Sequence, residues 1–215
     1  MQLDFYRKPE DQMLSNSQQF YAEMQQRRSV REFKPDPIPD EVIENCLLAA
    51  GTAPNGANLQ PWHFSVVKSA EVKSALRSAA ELHEHHFYNG GAPEEWLDAL
   101  KHLGTDASKP FLNTAPVLIA IFQKSKTIDL EGVERKCYYP KESVGIATGM
   151  LITALHHAGL ATLTHTPSPM KFLNEVLERP NTEKPFLLLV VGYPTDDCEV
   201  PDIEKLGIES IRTYH

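Results

Sequence analysis

The clearest pattern in the chain is three short apolar runs, "WHFSVVK" (62–68), "PVLIAIF" (116–122) and "FLLLVVG" (186–192). The first is β-branched and aromatic but includes His63, Ser65 and Lys68, the other two are continuously apolar, and such runs read as central strands covered on both faces. Between the second and third lies "ESVGIATGMLITALHHAG" (142–159), small or apolar nearly all round and closed by Gly159. This predicts a buried helix with a glycine just past its end. Its small residues Gly145, Ala147, Gly149 and Ala154 fit a subunit interface and an ordinary core helix equally well. Two more helices are predicted, over "LSNSQQFYAEMQQRR" (14–28) and from Asp40 through "DEVIENCLLAA" to Gly51. The second is acidic in its first turn, as the helix dipole favours. No repeat, low-complexity tract or linker divides the 215 residues. The expectation is one α+β domain spanning residues 1–215.

Composition narrows the function classes. With 29 acidic against 21 basic side chains and a net charge of -8, the overall field repels nucleic acid. No apolar stretch approaches the roughly eighteen residues a membrane span needs, and "MQLDFYRKPEDQML" has no apolar core before a cleavage site. A soluble, cytoplasmic protein is expected. Cys46, Cys137 and Cys198 are odd in number, far apart and outside any C-x-x-C spacing, which suits a reducing compartment and argues against a structural metal. There is no G-x-S-x-G, no phosphate loop and no dinucleotide fingerprint. With no protein nucleophile in view, redox chemistry would fall to a bound cofactor.

Against the acidic background, "RRSVR" (27–31) sets three arginines within five positions. Guanidinium forks match phosphate and carboxylate oxygens, so the cluster reads as an anion site, with a solvated helix end as the plainer alternative. "TAPNGANLQPW" (52–62) is a turn whose Gly56 would admit a close ligand and whose Asn55 could hydrogen-bond one, although a connecting loop has the same composition. "TLTHTPSPMKFL" (162–173) leaves a β-compatible segment through Thr164, His165 and Thr166, and Ser168–Pro169 reads as an N-cap and first helical position. "ELHEHHFYNGGAPEEWL" (81–97) puts Glu84 and Tyr88 four apart on one helical face and breaks at Asn89-Gly90-Gly91. Its histidines His83, His85 and His86 lack H-E-x-x-H spacing and read as a solvated face, so no metal is expected. His156 and His157 close the long helix.

Taken in order, "RRSVREF", "TAPNGANLQPW", "YYPKESVGIATGMLITALHHAGL", "THTPSP" and "RPNTEKPFLLLVVGYP" resemble the nitroreductase-like FMN flavoproteins over about residues 18–211. The resemblance implies a central, mostly antiparallel sheet flanked by helices and an intertwined homodimer with FMN at the subunit interface. It assigns Arg27, Arg28, Ser29, Val30 and Arg31 to FMN, the arginines chiefly to its phosphate, with Asn55, Gly56, Thr164, His165, Thr166 and Lys205 as further contacts. The Thr166 hydroxyl would bond flavin N5 and favour single-electron steps.

Within that superfamily the segment 81–109 resembles the deiodinase branch, which removes iodide reductively from mono- and diiodotyrosine. Glu84, Tyr88 and Lys109 would hold the amino acid end of a halotyrosine under a lid, with the Ala57 backbone facing its phenolate. A zwitterion offers an ammonium to Glu84, a carboxylate to Lys109 and an apolar body to Tyr88. Asn55 stands where mammalian members carry serine, His165 where they carry threonine, and Lys205 in place of an arginine, keeping charge but losing the fork. The alternative is a general NAD(P)H-dependent nitroreductase or quinone reductase. No NAD(P)H fingerprint is present, and proteins of this kind often draw electrons from a separate reductase.

Overall fold

The computed structural model describes residues 1–101, 105–128 and 131–215. Its first helix, α1 (Glu10–Gln26), starts earlier than the apolar pattern indicates, because Glu10 and Asp11 suit the positive end of the helix dipole. It ends at Gln26, and Arg27 is extended (φ -68°, ψ 119°), so the arginine cluster stands beyond the helix rather than on its last turn.

Next come α2 (Asp40–Gly51), β1 (Trp62–Val67), α3 (Ala70–His86), α4 (Glu94–Lys101) and α5 (Phe111–Thr114). Strand β2 (Val117–Lys124) precedes a small hairpin of β3 (Lys126–Ile128) and β4 (Glu134–Lys136). The chain continues through α6 (Pro140–His157), β5 (Ala161–His165), α7 (Phe172–Val176), β6 (Glu183–Gly192) and α8 (Ile208–Ile211). The main sheet has the order β1-β2-β6-β5, and every neighbouring pair is antiparallel. This is the expected antiparallel sheet with helices on both faces.

Both middle strands are apolar at every core position because each face carries its own hydrophobic cluster. Val117, Ile119 and Ile121 of β2, with Leu187, Leu189 and Val191 of β6, face α2 and α6. Leu118, Ala120 and Phe122, with Leu188 and Val190, face α3, α5 and α7. The register keeps like faces together, with Ile119 opposite Leu189 and Val117 opposite Val191. Burying one such aliphatic side chain contributes about 1.5–3 kcal/mol. Lys73 is buried in the second layer without a carboxylate partner among the described residues, and its ammonium caps the carbonyls of Asn113 (3.0 Å) and Ala115 (2.8 Å), tying α3 to the end of α5. Burial lowers its pKa.

Several sequence expectations are corrected. Strand β1 is an edge strand, half-buried along most of its length, because only β2 pairs with it. Ser168–Pro169 does not start a helix: that peptide is cis, and α7 begins only at Phe172. Helix α6 buries one face, Val144, Ala147, Thr148, Leu151 and Leu155, while Ile146 on the opposite side is 46% exposed. At its end His156 and His157 contact the backbone oxygen and carboxylate of Glu23 at 2.9 and 2.7 Å, so they join α6 to α1.

Candidate active site

Strand β5 is where the site begins. Its free edge is taken up by the arginine segment: Ser29 bridges Thr162 in parallel, and the Val30 N–H donates to the Thr162 carbonyl at 3.1 Å. Running parallel, the segment carries Arg31 toward Thr164. Side chains along a strand alternate between faces, so Thr164 is exposed and His165 is only 7% exposed. The His165 ring meets Phe111 edge-on, and its Nε2 has no hydrogen-bond partner among the described residues. Burial, helped by the nearby Lys109 charge, pushes its pKa down to about 3, so the imidazole is neutral at working pH.

The opposite wall comes from the end of α3. Glu84 lies on its last turn, and a wide turn over Phe87–Gly91 follows, released at Gly90, whose φ of 107° suits glycine. Lys109 approaches from the far end of the segment and is 2% exposed. Its Nζ lies 3.3 Å from Glu84 Oε2, 3.2 Å from Thr105 Oγ1 and 5.4 Å from the centre of the Tyr88 ring, and it also donates to the Asp106 carbonyl. The Lys109 N–H donates to Glu81 Oε1 at 2.7 Å, an oxygen that also accepts from Arg77 Nε at 2.8 Å. Burial alone would raise the Glu81 pKa, but these donors outweigh it and hold the carboxyl below its usual range.

A cavity of about 270 Å³ joins the two walls, lined by Arg31, Glu84, Tyr88, Lys109, Thr164, His165 and Thr166. Seven of the residues singled out in the sequence therefore meet, although they come from four separate stretches. Residues 102–104 of the expected lid lie outside the described residues. Arg27, Arg28 and Val30 line a second cavity of about 480 Å³ on the other side of the β5 edge. None of the three arginines forms an ion pair with a carboxylate of the described residues. Arg28 instead donates to the Pro201 carbonyl.

The turn carrying Asn55, Gly56 and Ala57 lines neither cavity. The Asn55 amide is spent within the turn, accepting from Gln60 N (2.8 Å) and donating to the Ala53 carbonyl (3.1 Å). A Cβ on Gly56 would sit 2.8 Å from the Tyr138 carbonyl oxygen, so here glycine admits another backbone rather than a ligand. Ala57, Asn58 and Gln60 are all left-handed, with φ of 53°, 54° and 47°. Side chains disfavour that region, and residues held in it cluster at functional sites. Lys205 is exposed and lines neither cavity.

Residues 24–193 match the nitroreductase family. The chain belongs to that family. Among its relatives is an iodotyrosine deiodinase of Haliscomenobacter hydrossis, 51% identical over 91% of this chain and 88% of that protein. Iodotyrosine deiodinase 1 of Homo sapiens is 41% identical over 94% of this chain and 71% of its own length. The crystal structure of an oxidised iodotyrosine deiodinase bound to FMN and 3-iodo-L-tyrosine superposes with a TM-score of 0.77 at 30% identity, covering 91% of this chain and all of that one. The nitroreductase fold thus extends over most of the chain.

Sequence reading missed part of this nitroreductase-family site. His83, expected on a solvated face, lines the cavity and meets the Phe172 ring at a tilt of 33° with centroids 5.8 Å apart. The 3.6-residue period was the available signal, since His83 and Phe87 repeat the spacing of Glu84 and Tyr88 one position earlier. Thr105, Phe111 and Ser168 also line the cavity; Thr105 and Phe111 flank Lys109 without being marked by any spacing rule, and Ser168 was read as a helix N-cap instead. No three His, Cys, Asp or Glu side chains converge as a metal site among the described residues, nor does any described helix have the length and apolarity to cross a membrane.

Proposed function

We propose that this protein is an FMN-dependent reductive dehalogenase of halotyrosines. The observation that carries the reading is the convergence of a buried cation, an anion and an aromatic face, Lys109, Glu84 and Tyr88, in one cavity with Arg31, Thr164 and Thr166. The first three suit, in turn, the carboxylate, the ammonium and the ring of an aromatic amino acid. The others offer a cation and hydroxyls to a flavin.

The donor set fits FMN. Arg27, Arg28 and Arg31, without a carboxylate partner among the described residues, keep their charge for an anion in a chain of net charge -8. Ser29, Val30 and Lys205 are the further phosphate and ribityl contacts proposed from the family resemblance, although Ser29 and Lys205 line neither cavity of this chain. The unpartnered His165 Nε2 leaves a buried polar atom that a ligand in this cavity would serve. When bound, FMN supplies the electrons singly, and the overall change takes two electrons and one proton to convert the carbon–halogen bond to carbon–hydrogen plus halide. Glu84 and Lys109 fix the zwitterion, Tyr88 covers the ring, and the 81–109 lid excludes water, so the protein acts chiefly by positioning. Thr166 is assigned the hydrogen bond to flavin N5.

Asn55, Gly56 and Ala57 stand apart from the cavity on their own chain, which supports a homodimer in which the same turn of a second copy completes the site. The face of α6 around Phe20, Ala49, Ile146 and Met150 is the apolar surface available for that contact. A separate flavin or NAD(P)H reductase is the proposed electron source.

The deciding experiment mixes FMN-loaded protein, reduced anaerobically with dithionite, with 3-iodotyrosine and follows free iodide and tyrosine over many turnovers. Repeated turnover is expected. No release, with a nitroaromatic reduced readily in parallel, would move the chain to the general nitroreductases.

A further inference from the structure

Lys73, Arg77 and Glu81 stand four residues apart along α3 and so share one face, and two of them reach the segment 109–115. Lys73 holds the far end of that segment through the carbonyls of Asn113 and Ala115. Glu81 holds the near end: its Oε1 accepts the Lys109 N–H at 2.7 Å and Arg77 Nε at 2.8 Å. We infer that Glu81 is a positioning residue, which sets the Lys109 peptide in place and, through it, the cation of the cavity. The inference rests on the amino acid reading given above and adds a residue that lies outside the cavity lining.

Local chemistry gives this bond its leverage. Pro110 has no N–H, so the Lys109 N–H is the last backbone donor before Phe111, where the chain enters the core. The partners of the Lys109 ammonium on its own stretch of chain, Thr105 Oγ1 and the Asp106 carbonyl, move with that stretch and cannot anchor it. The Ser108 N–H is likewise spent locally, on Asp106 Oδ1 at 2.9 Å. Glu81 belongs instead to a helix seated in the core, with Ala80 beside it fully buried, so it fixes the peptide against the body of the protein. Burial opposes the charge on Glu81, yet the Lys109 N–H and Arg77 keep the carboxyl ionised, and an ionised acceptor makes the stronger bond.

Once that peptide is released, the ammonium and its local partners turn together, away from the Tyr88 face, while Arg31, Thr164 and Thr166 keep their places on the β5 side of the cavity. Loss of Glu81 therefore weakens the binding of the amino acid and leaves the step that follows it unaltered. In steady-state kinetics this is a raised KM at a constant kcat.

The test uses FMN-loaded protein with isotope-labelled lysine, amide exchange followed by NMR, and turnover of 3-iodotyrosine with dithionite as reductant. In Glu81→Leu the Lys109 amide should exchange with solvent faster by roughly tenfold or more, while the Lys73 amide, bonded to the Ser69 carbonyl at 3.0 Å in the first turn of α3, is unchanged. KM for 3-iodotyrosine should rise roughly tenfold at a constant kcat. Glu81→Gln retains a carbonyl acceptor for the Lys109 N–H and should return KM to within about twofold of native. If Glu81→Leu does not fold, Glu81→Asp, a methylene short of Lys109, takes its place with the same expectations. An unchanged KM in a variant whose Lys109 amide has opened overturns the inference, and so does faster exchange at Lys73, which would make the effect a general loosening of α3. A native protein that does not turn over 3-iodotyrosine defeats the amino acid reading, and this inference with it.

Discussion

The ring of His165 meets the edge of Phe111 with centroids 5.6 Å apart and planes at 79°, and this burial keeps the imidazole neutral. Its pKa of about 3 in the folded chain lies below the ordinary 6.5, so in that interval the unfolded chain binds the extra proton. The stabilising contribution is complete above pH 6.5 and is lost as the pH falls toward 3. At about 1.4 kcal/mol per pH unit, acidification from about pH 6.5 to about pH 5 should cost the native protein roughly 2 kcal/mol more than the His165→Leu variant. Urea titrations of both proteins at the two pH values measure the difference, and equal losses would show that the imidazole protonates in place.

Replacing either charge of the cavity should weaken 3-iodotyrosine binding and spare FMN. Each charge-assisted hydrogen bond contributes about 1.5–3 kcal/mol, so Glu84→Gln is expected to lower affinity roughly ten- to a hundredfold. Fluorescence quenching gives the ligand affinity and flavin absorbance after gel filtration gives retention of FMN. Unchanged affinity would remove Glu84 from the site.

On α6, Ile146 is 46% exposed and a Cβ added at Gly149 would meet nothing within 4 Å. If a second copy covers this face, Ile146→Glu places a charge in the interface, and sedimentation velocity should show a shift from dimer to monomer with loss of FMN. A native protein that sediments as a monomer while binding FMN would overturn the two-chain site.

Leu189 is fully buried in β6, and Leu189→Ala should cost about 2–5 kcal/mol through lost transfer free energy and the cavity left behind. Gly56→Ala acts differently, by pressing a methyl group against the Tyr138 carbonyl oxygen at 2.8 Å. A cost of about 1–3 kcal/mol is expected from that overpacking. Chemical denaturation read by circular dichroism checks both, and a neutral Gly56→Ala would mean that the turn moves freely.

The three apolar runs and the long small-residue helix marked β1, β2, β6 and α6 correctly in the chain, because burial on both faces of a central strand leaves a continuous apolar signature. The break after Tyr88 was equally legible, since a φ of 107° at Gly90 is a local steric requirement. The edge position of β1 was not, because an edge and a centre differ in neighbours that the strand itself does not encode. Local capping rules also misplaced the start of α7, where the chain around Ser168–Pro169 is a turn.

For the site, the sequence by itself determined which residue types could bind an anion and a zwitterion, because charge and hydrogen-bonding capacity belong to side chains wherever they stand. Only the tertiary structure decided which of them share a cavity. Beyond the parallel bridge of Ser29 to Thr162, Arg31 lines the same cavity as Thr164, while Arg27 and Arg28 line another. Glu84 and Lys109, twenty-five positions apart in sequence, became a 3.3 Å pair, and His83 moved from an expected solvated face into the cavity wall. Distances of that kind depend on how α3, β5 and the approach to α5 pack against one another, and packing is a property of the whole core that no single stretch of sequence carries.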